Sequence, residues 1–292
     1  MTRFSYFPGC SLHGTAREYD ESIRAVAAIL GIELAEVQDW CCCGATPAHA
    51  TDLPAAHALG LWNLAQASRM GEAPVVTGCA SCFSRLRAAR QELREHPERL
   101  AEARVIAGQS VNPRLEVLHL VQVLADPEVL AKLKASVKRP LNKLPVACYY
   151  GCLLTRPPGE GAVDDAEEPR IMEDLARAVG AEPVDWPLRL DCCGSSLALA
   201  RPEVVHDLSG KILASAHSRG AKALIVACPL CHSNLDFQQP QAAQARKLDF
   251  RMPILYLTQL LGVALGLSER QLGLQRHFVP VPVDELVPVG GP

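Results

Sequence analysis

The chain has 292 residues, of which 49% are hydrophobic and 21% charged, enough apolar material to bury a substantial core. Its net charge of −3 and pI near 6.3 leave no basic excess for nucleic acid or an anionic membrane surface. The N-terminus has no secretory pattern, so the twelve cysteines are expected to stay reduced in the cytoplasm and to serve metal or redox chemistry rather than a disulfide framework.

In chain order, Phe4-Ser-Tyr-Phe-Pro-Gly-Cys10 reads as a short strand running into a glycine turn and a cysteine. Trp40-Cys-Cys-Cys-Gly44 follows, then an apolar helix pattern from Ala56 to Met70. Val75-Val-Thr-Gly-Cys79 is a β-branched run ending in a cysteine, with Cys82 just beyond, and Leu118 to Leu124 reads as a helix. The charged, helix-rich stretch from His96 to Pro145 is punctuated by Pro97, Pro113, Pro127, Pro140 and Pro145 and crosses to a second half.

That half repeats the first. Ala147-Cys-Tyr-Tyr-Gly-Cys152 is again strand, turn and cysteine. Arg156 to Pro169 is an acidic, Pro/Gly-rich loop. Leu190-Asp-Cys-Cys-Gly194, a helix pattern from Val204 to His217, Leu224-Ile-Val-Ala-Cys228 and an apolar helix at Leu255 to Leu261 follow in the same order. The apolar stretch Met252 to Leu267 is shorter than the ~20 residues of a membrane span, and reads as a buried core helix. The tail from His277 carries four prolines and is expected to lie extended, not helical.

The cysteines make the repeat explicit. Cys10, Cys42, Cys43, Cys79 and Cys82 follow the pattern C-x31-CC-x35-C-x2-C, and Cys152, Cys192, Cys193, Cys228 and Cys231 follow C-x39-CC-x34-C-x2-C. Two units are expected, 1–145 and 146–292, each an α/β unit with a small, mostly parallel sheet flanked by helices. The cysteines of each set fall at or just after strand ends, and in such sheets the carboxyl ends of the strands gather where ligands bind.

Five thiols per half invite three readings. A structural zinc takes four ligands and leaves one over. Adjacent cysteines also diverge, which suits a cluster of several irons better than one small ion. Gly44 and Gly194 permit the tight backbone that such a site needs. Iron–sulfur ligation is therefore the first reading, with zinc and a thioredoxin-like reactive dithiol as alternatives. The compact ferredoxin signature is absent.

The duplicated pattern resembles the cysteine-rich CCG-domain family, and within it the B-type subunits of heterodisulfide reductase. The likeness spans almost the whole chain and includes Tyr6-Phe-Pro-Gly-Cys10-Ser, Tyr150-Gly-Cys152-Leu-Leu and Tyr256-Leu-Thr-Gln-Leu-Leu-Gly262. It implies two pseudo-symmetric CCG domains with clusters at the strand C-terminal ends. One noncubane [4Fe–4S] cluster would sit on Cys10, Cys42, Cys43, Cys79 and Cys82, and a second on Cys152, Cys192, Cys193, Cys228 and Cys231. A disulfide-type substrate would enter between them and be cleaved or formed in one-electron steps. The implied partners are an iron–sulfur C-type subunit and a flavin-containing A-type subunit. The rival readings are a sulfur-oxidising subunit acting on carrier-bound sulfur, an electron-transfer or anchoring subunit of a lactate, glycolate or succinate oxidising complex, and a zinc-stapled scaffold.

The remaining polar residues have plainer readings. His13, three residues after Cys10, is a candidate proton donor to a leaving thiolate. Cys41 reads as a spare thiol, Cys148 as a small core residue on its strand, and His119, which matches Tyr256 in the repeat, as a core residue. His232 is expected to cap or lie on the surface. Ser11, Ser195 and Ser196 are expected to cap helix starts, and Asp164 to Glu168 to form a solvated loop.

Overall fold

The computed structural model describes residues 2–287 except 46–50, 97, 99–100, 102–104, 106–107, 109 and 160. Pro97, much of the 96–110 stretch and the last five tail residues therefore lie outside the described residues.

The first half opens with β1 (Thr2–Tyr6), α1 (Gly9–His13), α2 (Arg17–Leu30) and β2 (Ile32–Glu36). It continues with α3 (Leu53–Arg69), β3 (Val75–Thr77), α4 (Ala80–Glu95), β4 (Val117–His119), α5 (Leu120–Ala125) and α6 (Pro127–Ala135). The second half runs β5 (Pro145–Tyr149), α7 (Ile171–Ala178), β6 (Glu182–Pro183), α8 (Pro202–Ser218), β7 (Ala223–Val226), α9 (Pro229–Leu235), α10 (Gln239–Arg246), β8 (Ile254–Tyr256), α11 (Leu257–Ala264) and α12 (Val283–Leu286). Each half builds a four-stranded sheet with every pair parallel, in the orders β2-β1-β3-β4 and β6-β5-β7-β8. The α/β duplication expected from the repeat is thus the observed architecture.

Burial follows from the sheet type. Parallel strands covered by helices on both faces must be apolar along their whole length, and Ala223-Leu-Ile-Val226 is buried at every position. α2 turns one stripe inward, with Tyr19, Ile23, Val26, Ala27 and Leu30 buried, and stops at Gly31 in the left-handed conformation. The halves exchange helix contacts reciprocally: α2 packs on α11, and α7, which follows β5 as α2 follows β1, packs on α5. At the first of these seams Ser22 and Thr258 share a hydrogen bond of 2.6 Å, and Tyr19 stacks on Tyr256 at 3.9 Å. Buried residues of both halves form one continuous core.

Two expectations need correction. The runs at Leu118 to Leu124 and Leu255 to Leu261, read as helices, each divide into a strand and a helix. The break falls at His119 and Tyr256, whose backbone N–H groups donate to Gln122 Oε1 and Gln259 Oε1 three residues on, at 2.9 Å each. The same division makes Met252 to Leu267 a strand followed by a helix rather than one core helix. The tail is not wholly extended either. Val283–Leu286 forms a short helix, because Pro282 precedes its first turn and no proline falls inside it. Asp236 holds the tail through the backbone N–H groups of Phe278 and Val279, and Arg139 reaches Asp284 at 3.0 Å. Arg156 to Pro169 is a loop as expected, bound to α4 where Arg87 donates to the Pro157 carbonyl at 2.7 Å.

Candidate metal centre

All ten repeated cysteines follow strand C-terminal ends. Cys10 lies in α1 after β1, and Cys152 in the turn after β5. Cys42-Cys43 and Cys192-Cys193 occupy the loops after β2 and β6. Cys79 and Cys228 are the N-cap residues of α4 and α9, with Cys82 and Cys231 in the first turns.

The thiols converge. Cys152 and Cys192 approach to 3.6 Å between sulfurs, as do Cys193 and Cys231. In the first half Cys43 lies close enough to the thiols of Cys42 and Cys82 for each to shift the other's ionisation, and Cys82 stands in the same relation to Cys79. Cys228 lies close enough to Cys231 and, across the seam, to Cys79 for their ionisations to be coupled. A run of thiols that influence one another's ionisation therefore leads from Cys42 through Cys43, Cys82, Cys79, Cys228 and Cys231 to Cys193. Cys10 acts on Cys42 through its charge, beside this run.

Protons distribute unevenly along it. Hydrogen bonds from Cys42 and Cys82 pull the Cys43 thiol down to about 4 against its burial. Those from Cys231 and Cys79 pull Cys228 well below the usual thiol range. The Cys152 hydrogen bond brings Cys192 down to about 6. Their neighbours Cys42, Cys79, Cys82, Cys152 and Cys231 are all pushed up, chiefly as the hydrogen-bonding partners that retain the proton. Thiolates in such close company are the species that bind metal, and metal binding releases the protons that remain.

The backbone is shaped to the sulfurs. Gly44 and Gly194 have φ of +78° and +79°, and their N–H groups donate to Cys42 Sγ at 3.4 Å and Cys192 Sγ at 3.3 Å. Gly9 and Gly151, also at positive φ, leave room where a Cβ would come within 2.9 Å of Cys82 Sγ and 3.2 Å of Cys231 Sγ. Two buried asparagines, missed in the sequence, clamp the paired cysteines. Asn63 of α3 accepts from the Cys41 N–H at 2.8 Å, and Asn234 of α9 donates to the Cys193 carbonyl at 3.1 Å. No sequence signal marks them, since both sit inside helices far along the chain from the cysteines they hold. Converging thiols, inward N–H donors and side-chain-free turns fit a multinuclear sulfur-ligated group better than one tetrahedral ion.

The other candidates lie apart from the thiol run. Cys41 donates to the Cys42 carbonyl at 3.5 Å, and Cys148 is buried within β5, where burial pushes its thiol up. His13 is exposed, with Nε2 2.9 Å from Glu36 Oε1 and its ring edge-on to Trp40. His119 is buried as expected and caps α5. Its Nδ1 accepts from Val121 N–H, so Nε2–H donates to the Gly78 carbonyl at 3.0 Å. His232 is neither a surface nor a capping residue. It is buried, stacks on Tyr256 at 4.3 Å and bonds the Ile254 carbonyl through Nε2 at 3.1 Å, because its helix packs under β8. The turns starting at Gly9 and Ser195 carry no side-chain cap, so the capping expected of Ser11, Ser195 and Ser196 is not seen there. His232, Asp236 and His277 offer ligand atoms within 4.8 Å of one another. Each is engaged already: His232 with Ile254, Asp236 with two tail amides, and His277 with the Gln259 side chain at 2.9 Å.

Fold and thiol geometry together define a duplicated, cysteine-rich α/β protein whose two sulfur-donor sets meet at an internal seam. The cysteine-rich (CCG) domain matches residues 4–87 and again 146–236, and the chain belongs to this family, in the duplicated form seen in the B-type subunits of heterodisulfide reductase. It is 35% identical over 277 residues to the 8-methylmenaquinol:fumarate reductase membrane anchor subunit of Wolinella succinogenes, covering 94% of this chain and 96% of that one. It is 29% identical over 286 residues to the B-type subunit of the ferredoxin:CoB-CoM heterodisulfide reductase of Methanosarcina mazei, covering 96% and 94%. A hypothetical protein from Helicobacter pylori shares the fold, with a TM-score of 0.77 over 96% of this chain at 14% identity. This chain spans about half of that protein, 52%. Among the described residues no helix is long and apolar enough to cross a membrane.

Proposed function

We propose that the chain is the iron–sulfur redox subunit of a multi-subunit, heterodisulfide-reductase-like oxidoreductase, acting on a disulfide or related sulfur substrate in a reducing cytoplasm. The observation that carries this reading is the convergence of each five-cysteine set at strand C-terminal ends, with Cys79 and Cys228, the N-caps of α4 and α9, near enough across the seam to shift each other's ionisation. Cys10, Cys42, Cys43, Cys79 and Cys82 would hold one noncubane [4Fe–4S] cluster, and Cys152, Cys192, Cys193, Cys228 and Cys231 the other. Bound there, the clusters supply one electron each, so that RS–SR + 2e⁻ + 2H⁺ gives two thiols. The protein's own part is to bring the two donor sets together at the seam, to keep the Cys79 and Cys228 ends away from water, and to leave Cys10, Cys42 and Cys192 exposed on the entry side. His13, fixed by Glu36 one turn after Cys10, supplies a proton to the departing thiolate. Electrons come from an iron–sulfur C-type subunit fed by a flavin-containing A-type subunit.

A second reading has its own support in the 35% identity to a fumarate reductase subunit. There the same two centres relay electrons within a quinol- or succinate-linked complex and no disulfide is cut. Anaerobic purification with the co-purifying subunits identified separates the two, followed by assays of disulfide and of fumarate reduction with a reduced viologen. Disulfide turnover supports the first reading, and fumarate turnover alone supports the second. On either, iron should reach about eight per chain. Cys193→Ala should remove about half of it, whereas full iron in that variant refutes the ligand assignment. His13→Gln should keep the iron and slow disulfide turnover. Unchanged turnover removes His13 from the scheme.

A further inference from the structure

The two cysteine sets match in their sulfur donors and differ in what stands beside them. Cys79-Ala-Ser-Cys82-Phe-Ser-Arg85 runs in register with Cys228-Pro-Leu-Cys231-His-Ser-Asn234. The third residue after the second cysteine is therefore Arg85 in one half and Asn234 in the other. Residues three apart on a helix share a face, so each lies on the face that carries Cys82 or Cys231. Cys231 Sγ stands 3.6 Å from Cys193 Sγ, and Cys82 lies close enough to Cys43 for each to shift the other's ionisation.

In the second half the neighbour is a neutral dipole. The buried Asn234 amide donates to the Cys193 carbonyl and, at 3.5 Å, to its sulfur. Gln238 donates to Asn234 Oδ1 at 3.1 Å, which fixes the amide with its NH₂ toward the cysteine. In the first half the neighbour is a permanent cation, since a guanidinium keeps its proton in proteins. Arg85 is half-buried on that face; burial works against its charged form, and the Cys43 thiolate in its neighbourhood partly offsets this. Exposure differs in the same sense: Cys10 is exposed, and its counterpart Cys152 is half-buried. A centre gains negative charge on reduction, so a nearby cation and nearby water both favour its reduced form. A single N–H···S contact does so over a shorter range.

We propose that Arg85 and Asn234 make the two centres unequal, with the first-half centre at the higher reduction potential, so that a single electron delivered to either set comes to rest in the first half. This rests on the reading that both sets hold iron–sulfur clusters. The test is a redox titration of the full chain, purified without oxygen and followed by electron paramagnetic resonance, with iron counted in parallel. Two midpoints are expected. Arg85→Gln should lower the higher midpoint and leave the lower in place, Arg85→Lys should preserve both, and Asn234→Lys should raise the lower. A single shared midpoint in the parent overturns the inference, as does an Arg85→Gln shift that is absent, equal at both centres or confined to the lower. If Arg85→Gln fails to load iron, the Asn234→Lys result decides. A parent chain without iron or paramagnetic signal refutes the cluster reading itself, a different failure from equal potentials in a loaded chain.

Discussion

Gly9→Ala tests whether the backbone around the thiols is shaped by the sulfurs. Gly9 has φ of +71°, and a methyl there would stand 2.9 Å from Cys82 Sγ and 3.3 Å from the Phe7 ring. The left-handed conformation costs an alanine about 1–2 kcal/mol. Overpacking adds about 1–3 kcal/mol, because Cys82 is buried in the first turn of α4, so the sulfur has little room to withdraw. The sum is roughly 2–5 kcal/mol, a large share of an ordinary domain's stability. Gly151→Ala is the internal control: its φ of +66° imposes similar strain, but its methyl meets Cys231 Sγ at the milder 3.2 Å. Urea unfolding of both iron-free variants under reducing conditions should rank Gly9→Ala below Gly151→Ala and both below the parent. Iron assay of the anaerobically prepared proteins should show Gly9→Ala losing the first-half centre. A Gly9→Ala protein with parental stability and full iron would refute the argument, and so would the reverse ranking.

Two further predictions concern residues outside the sulfur sets. Burial lowers His119 from 6.5 to about 4, so the folded state binds its proton less readily than the unfolded chain. Its contribution of about 3 kcal/mol is complete above pH 6.5 and is lost as the pH falls from there through 4. Burial raises the carboxyls of Glu18, Glu173 and Asp236, which favours the folded state as the pH falls and opposes this trend. The informative quantity is therefore the difference between parent and His119→Gln in iron-free unfolding, which should shrink over that interval; a constant difference sinks the assignment. Cys41→Ser should keep all the iron, because the Cys41 thiol bonds a carbonyl rather than the thiol run. A fall by a whole centre would make Cys41 a ligand.

The sequence showed the paired cysteine sets more readily than two of the sheet strands. Sulfur donors cannot be exchanged for other residue types, so their spacing survived duplication and could be read directly from Cys10 to Cys231. The strands β4 and β8 were hidden for the opposite reason. Each has three residues and runs into an apolar helix without a break in hydrophobicity. The cap residues are His119 and Tyr256 rather than the Ser, Thr, Asp or Asn that usually announce a helix start. The positive φ of Gly44 and Gly194 could be expected from the tight double-cysteine turn. The need for glycine at Gly9 and Gly151 could not, because the atom that excludes a side chain there belongs to a cysteine some 70 to 80 positions away.

Why duplication within one chain, rather than two separate copies, suits this site follows from the seam. α2 of the first half packs on α11 of the second, α7 returns the contact to α5, and Tyr19 lies flat against Tyr256. These contacts are buried and specific, and they lie next to the thiols: Tyr19 is close enough to Cys228 and Cys79 for both to oppose its ionisation, after burial itself. Two identical protomers would be bound by symmetry to present the same neighbours to both centres. A single chain is free to keep Cys79 against Cys228 while placing Arg85 beside one set and Asn234 beside the other. Matching cysteine sets and unequal surroundings can coexist here because one chain carries both halves, and under the proposed function that freedom lets electrons move between two centres in a preferred direction.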